Sequence, residues 1–126
     1  MSGWIGVDLD GTLARYEGFQ GVDTIGEPIA PMVDRVKKWL ASGKEVRIFT
    51  ARMHGHLMPL ASGGIADVLT PIQNWCEKHI GVVLDVTNKK DFGMEELWDD
   101  RCVQVEANTG IPVASCKARK RKPYKK

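Results

Sequence analysis

No apolar run in this 126-residue chain approaches the ~18–20 residues needed to cross a bilayer. The start, Met-Ser-Gly-Trp, lacks the basic stretch and long apolar segment of a signal peptide. The expectation is a cytoplasmic protein with no membrane partner. Cysteine is scarce: Cys76, Cys102 and Cys116 are odd in number and show no CxxC spacing, which argues against a disulfide framework or a zinc knuckle. They read as buried or incidental thiols. There is no internal repeat, and low complexity is confined to the C-terminal end. With 43% hydrophobic and 27% charged residues, the composition is that of one ordinary globular domain. A chain of this length buries roughly two-thirds of its unfolded surface, so its core needs no metal to hold it and any metal would serve chemistry.

The charge is unevenly placed. Residues 117–126 (KARKRKPYKK) carry seven of the 18 Lys and Arg and no acid, so residues 1–116 are left at −5 within a total of +2. This divides the chain into a folded acidic body, 1–116, and a loose basic tail, 117–126. Such a tail can bind the phosphates of a nucleic acid without reading sequence, or serve only as a solvated end.

Within the body, residues 4–9 (WIGVDL), 45–50 (EVRIFT) and 81–86 (GVVLDV) are short apolar runs expected as buried strands. Between them, Met32, Val33, Val36, Trp39 and Leu40 form one helical stripe over 31–42, with Gly43 as a stop. Ile65, Val68, Leu69, Ile72, Trp75 and Cys76 form another over about 64–79. Residues 95–98 and 102–105 are two further strand candidates. This alternation predicts an α/β, Rossmann-like three-layer sandwich: a parallel sheet of four or five strands with helices on both faces. Ligand sites in such sheets lie beyond the carboxyl ends of the strands. The two segments that break the rhythm, 14–30 and 52–63, follow strand ends and are the places to look for function.

The first strand runs into Asp8-Leu9-Asp10-Gly11-Thr12, two carboxylates beside buried apolar residues, which must be solvated, paired or bound to a cation. The second runs into Thr50-Ala51-Arg52, bringing a hydroxyl and a guanidinium to the same edge. After the third come Asn88-Lys89-Lys90-Asp91, and after the fourth a second acidic pair, Asp99-Asp100, followed by Arg101. Carboxylates suit Mg²⁺, a hard cation bound through oxygen, while a hydroxyl and an ammonium suit the oxygens of a phosphoryl group in transfer.

These four groups, in this order and spread over residues 4 to about 106, resemble the ordered motifs of the haloacid dehalogenase superfamily. The resemblance implies that Asp8 is the nucleophile, forming an aspartyl-phosphate, and that Asp10 protonates the leaving oxygen and then activates water. Thr50 and a lysine would bind the phosphoryl group, and Lys90 is expected over Lys89 because the turn at Asp91-Phe92-Gly93 could fix its direction. Asp8, Asp10 through its main-chain carbonyl and Asp99 would form the Mg²⁺ site, with Asp100 either a ligand through water or an acid that orients the others. Gly11, Thr12, Arg15, Ala51, Arg52 and Lys89 are the accompanying substrate-binding candidates; the two arginines suit phosphate or carboxylate by their fork. The second aspartate, Asp10, resembles the phosphatases of the superfamily rather than its dehalogenases, and a positioned acid of this kind contributes about 10²–10⁴-fold to release of an alkoxide.

The family's mobile cap has little room here. Residues 14–30 allow at most a small hairpin flap, so the chain resembles a minimal, capless member, open to large substrates or covered by another subunit in a homo-oligomer. A receiver domain of two-component signalling would place an acidic pair near its first strand and its phosphoacceptor near mid-chain, the reverse of the order seen. Two other readings are a phosphatase acting on nucleic-acid ends through the basic tail and a nucleic-acid-binding module with a vestigial site. His54 and His56 lack a third nearby ligand for a metal and are instead candidates for substrate contact.

Overall fold

The structure is a computed structural model and describes residues 3–55 and 67–114. The first strand, β1 (Trp4–Asp8), is buried along its whole length. It lies between β2 (Glu45–Phe49) and β4 (Met94–Trp98), and β3 (Val86–Thr87) pairs with the outer side of β2. All pairs are parallel, in the order β3-β2-β1-β4, so four strands form the sheet.

Helix α1 (Ala30–Ala41) joins β1 to β2, and α2 (Leu69–His79) precedes β3. Pro31 sits in the first turn of α1, where its missing N–H costs nothing. The helix ends as expected at Gly43, whose φ of 86° is open to glycine, while the Lys44 N–H bonds back to the Trp39 carbonyl. The second stripe begins later than expected: residues 64–66 lie outside the described residues, and α2 starts at Leu69, with Asp67 accepting from the Thr70 N–H.

Ile5, Val7 and Leu9 share one core with Val46 and Ile48, with Met32, Val33 and Val36 of α1, and with Ile72, Trp75 and Cys76 of α2. Alternate strand residues point to opposite faces, so both helices cover the same face of the sheet. The strand order requires this, because β1, β2 and β3 step in one direction and right-handed crossovers then stack on one side. The expected second helical layer is not formed among the described residues. Instead, residues 88–93 carry the chain across the other face: Asp91 accepts from Trp4 Nε1 at 2.8 Å, and the Arg47 guanidinium lies 4.4 Å from the Trp4 ring centroid. A side chain at Gly6 would press on Met94, Trp4 and Leu97, so glycine permits that layer to close.

Two strand expectations change. Residues 81–85 are not strand, because Ile80 and Gly81 donate to the Cys76 carbonyl to close α2, leaving Val82 and Val83 exposed and only Leu84 in the core. Residues 102–105 do not join the sheet. They lead into an exposed antiparallel turn, where Val105 bridges Pro112 and Asn108 takes the left-handed conformation. No helix among the described residues is long and apolar enough to cross a membrane. Cys76 is buried and Cys102 exposed; Cys116, His56 and the basic segment 117–126 lie outside the described residues.

Candidate active site

Because the strands are parallel, their carboxyl ends meet at one edge. There β1 ends on Asp8, β2 leads into Thr50, β3 into Asn88, and β4 into Asp99 and Asp100. The turn after β1 is tight: Leu13 N–H donates to the carbonyls of Asp8 and Leu9, and Gly11, at φ 95°, donates to the Ala14 carbonyl. Only glycine adopts that angle without strain. The turn brings the Thr12 hydroxyl to 3.4 Å from Asp8 Oδ2.

Asp8, Asp99 and Asp100 each offer a carboxylate oxygen within 4.8 Å of the others. Asp8 is 7% exposed. Burial, the Asp99 charge, a hydrogen bond with Asp100 and then the charges of Asp100 and Asp10 push its carboxyl up from 3.8 to about 8. An acid buried among acids holds a proton until a cation takes its place. The donor set is three hard oxygens with no nitrogen or sulfur, which fits Mg²⁺ and not a soft metal.

A cavity of about 520 Å³ opens on this cluster. Asp8, Asp99 and Thr50 line it together with Phe49, Ala51, His54, Asn88 and Arg101. Thr50 is 2% exposed. Its N–H donates to the Thr87 carbonyl, and its hydroxyl accepts from the Arg52 N–H at 3.2 Å, which turns the chain into the 3₁₀ helix Ala51–Gly55.

Asp10, 2% exposed, faces elsewhere. Both its oxygens accept from Arg52, Nε to Oδ2 at 2.7 Å and Nη2 to Oδ1 at 2.9 Å. Arg52 also donates to the carbonyls of Gly21, Val22 and Thr24, so all three guanidinium nitrogens are engaged within the protein. Arg52, expected to grip substrate, instead ties the segment after β1 to the site. That segment does return as a small flap, Ala14 bridging Pro28 and Arg15 N–H bonding the Glu27 carbonyl. Between the flap and Asp10 lies a second, polar cavity of about 220 Å³, where Arg15 pairs with Glu17 at 3.1 Å on the surface.

Lys89 and Lys90 are both exposed, and neither lines the cavity at Asp8. The Lys89 N–H bonds the Thr87 hydroxyl, and the chain then leaves across the sheet towards Trp4. The residues that do line the cavity and that motif order did not single out are Asn88 and Arg101. Their one sequence signal was proximity to a strand end.

Compared with known protein families and with curated proteins, the chain matches none. Among solved structures it is similar to a conserved protein of Bacteroides thetaiotaomicron, with a TM-score of 0.55 and 20% identity over 90% of this chain and 84% of that one. At that identity the likeness shows the fold alone: an α/β, Rossmann-like domain with no cap evident among the described residues.

Proposed function

We propose that the chain is a Mg²⁺-dependent phosphomonoester hydrolase working through an aspartyl-phosphate on Asp8. The observation that carries this reading is the meeting of Asp8, Asp99 and Asp100 within 4.8 Å at the edge of a cavity that also holds Thr50. Asp8, Asp99 and Asp100, with the main-chain carbonyl of Asp10, would hold the ion, which when bound supplies positive charge beside the phosphoryl oxygens.

An Asp8 oxygen attacks phosphorus, the bond from phosphorus to the ester oxygen breaks, and that oxygen takes a proton to leave as the alcohol. Water then attacks phosphorus, loses a proton, and releases phosphate and free Asp8. Thr50 and the neighbouring backbone orient the phosphoryl group. Asp10 is the proton carrier in both halves, and both its oxygens accept from Arg52, so to hold a proton it must turn one oxygen away from that fork. The charge spread over the phosphoryl oxygens in flight is met by groups already in place, the term that dominates phosphoryl transfer.

The test is hydrolysis of an aryl phosphate by the full chain with Mg²⁺, with chelator, and by Asp8→Asn. Turnover with Mg²⁺ that both treatments abolish supports the reading. No turnover by the wild-type chain on any of a panel of phosphomonoesters, or turnover that survives exhaustive chelation, overturns it.

A further inference from the structure

Three carboxylates around one divalent ion leave the cavity negative, and a phosphoryl dianion must enter it against that charge. Some fixed cation has to meet it, because the cost of bringing like charges together in a partly desolvated site is large. Among the described residues, the basic residues that line this cavity are Arg101 and His54. Lys89 and Lys90 follow a chain that turns away across the sheet, with Asp91 pinned to Trp4 Nε1 and the Gly93 N–H, both at 2.8 Å.

The backbone of Arg101 is anchored by its own neighbour. Its N–H donates to Asp99 Oδ1 at 2.7 Å, so the residue that supplies an oxygen to the acidic cluster also fixes the backbone from which Arg101 departs. Arg101 lines the same cavity as Asp8, Asp99, Thr50 and Ala51. A planar fork is suited to two oxygens of one phosphoryl group, which a lysine on a flexible stem meets only as a point charge.

We propose that Arg101, and not Lys89 or Lys90, is the cation that holds the phosphoryl group in this cavity, with the Asn88 side chain as a neutral donor beside it. The proposal rests on the phosphohydrolase reading and names a residue that reading leaves open. It also sets what the site accepts: a terminal phosphomonoester presents three oxygens to Thr50, Arg101 and the ion together, whereas a diester has one fewer free oxygen to share among them.

The experiment measures binding of inorganic phosphate to the full chain in Mg²⁺ by calorimetry, alongside KM and kcat for an aryl phosphate. The proteins are wild type, Arg101→Ala, Arg101→Lys, Lys89→Ala and Lys90→Ala. Loss of a charge-assisted pair predicts that Arg101→Ala weakens phosphate binding about tenfold or more and raises KM, that Arg101→Lys recovers part of this, and that both lysine variants stay within about twofold of wild type. Thermal unfolding of Arg101→Ala, an exposed position, should match wild type and so exclude a folding defect.

Phosphate binding by Arg101→Ala within about twofold of wild type, or a tenfold loss in either lysine variant, overturns the proposal while leaving the phosphohydrolase reading in place. A wild-type chain that binds no phosphate in Mg²⁺ and hydrolyses no phosphomonoester overturns both.

Discussion

Arg52 and Asp10 form a two-point ion pair at the carboxyl edge of the sheet, with both side chains almost wholly buried, 5% and 2% exposed. The remaining Arg52 donors reach the carbonyls of Gly21, Val22 and Thr24, and the Phe19 ring lies 5.4 Å from its guanidinium carbon. One side chain therefore fixes both the proposed proton carrier and the flap beside it.

Removing one member of such a pair leaves a buried charge unanswered, which typically costs about 3–5 kcal/mol. Arg52→Ala should lose stability in that range in urea unfolding, and Arg52→Lys should lose part of it, since an ammonium cannot reach two oxygens and three carbonyls together. The double variant Arg52→Met, Asp10→Asn should be less damaged than Arg52→Ala. If Arg52→Met and Asp10→Asn, each made singly, added up to the double variant, the pair would be contributing nothing as a unit.

Asp8 sets the pH dependence of the metal-free protein. Its carboxyl is raised from 3.8 to about 8 in the fold, chiefly by burial and then by Asp99, so the unfolded chain gives up the proton first. The stability this confers is complete below about pH 4 and is lost as pH rises towards 8. In chelator, the melting temperature should fall between pH 5 and 8.5, and Asp8→Asn should flatten that slope. A wild-type slope of the opposite sign would contradict the buried, protonated acid.

Mg²⁺ should act in the opposite direction. An ion held at the proposed site would compete with the proton on Asp8, so its stabilisation should be small at pH 5.5 and should grow through pH 8, with a shift set by concentration over Kd. Asp99→Asn should weaken the effect. A Mg²⁺ shift that is equal at both pH values would mean that the ion binds away from Asp8.

Asp8→Asn preserves shape and removes the proposed nucleophile. It should fold as wild type does and retain less than about a hundredth of the turnover. Asp10→Asn should be nearly as inactive, but should also lose stability because it breaks the Arg52 pair. The two variants are thus separated by their urea midpoints.

Gly26 tests the flap. A Cβ there would strike the Arg15 carbonyl, and the Gly26 carbonyl accepts from Trp75 Nε1 at 3.0 Å, which ties the flap to α2. Gly26→Ala should cost about 1–3 kcal/mol, as overpacking does. It should also quench or shift Trp75 fluorescence; unchanged emission and stability would show that the flap does not rest on α2 in this way.

Much of the fold was legible in the residues because it depends on local periodicity. The run 4–7 is apolar and lies in a central strand, and the stripes through Val33 and Val36, and through Ile72 and Trp75, mark the faces that meet it. Parallel strands then bring their carboxyl ends to one edge, so Asp8, Thr50 and Asp99 were readable as neighbours from strand order alone. Residues 81–85 misled because a run of Val and Leu looks alike whether it pairs as strand or closes a helix, and only the carbonyl of Cys76 decides which.

What only the tertiary structure decided is which charged group faces which. Arg52 reads as a free fork until Asp10 and three carbonyls from another segment take up its donors. Lys89 and Lys90 are both exposed and do not line the cavity at Asp8, because Asp91 bonds Trp4 and the chain crosses the face that carries no helix among the described residues. Hydrophobic pattern repeats every two or nearly four residues and survives in the chain as text. The direction in which a polar side chain leaves a loop depends on partners dozens of residues away, and no local pattern records it.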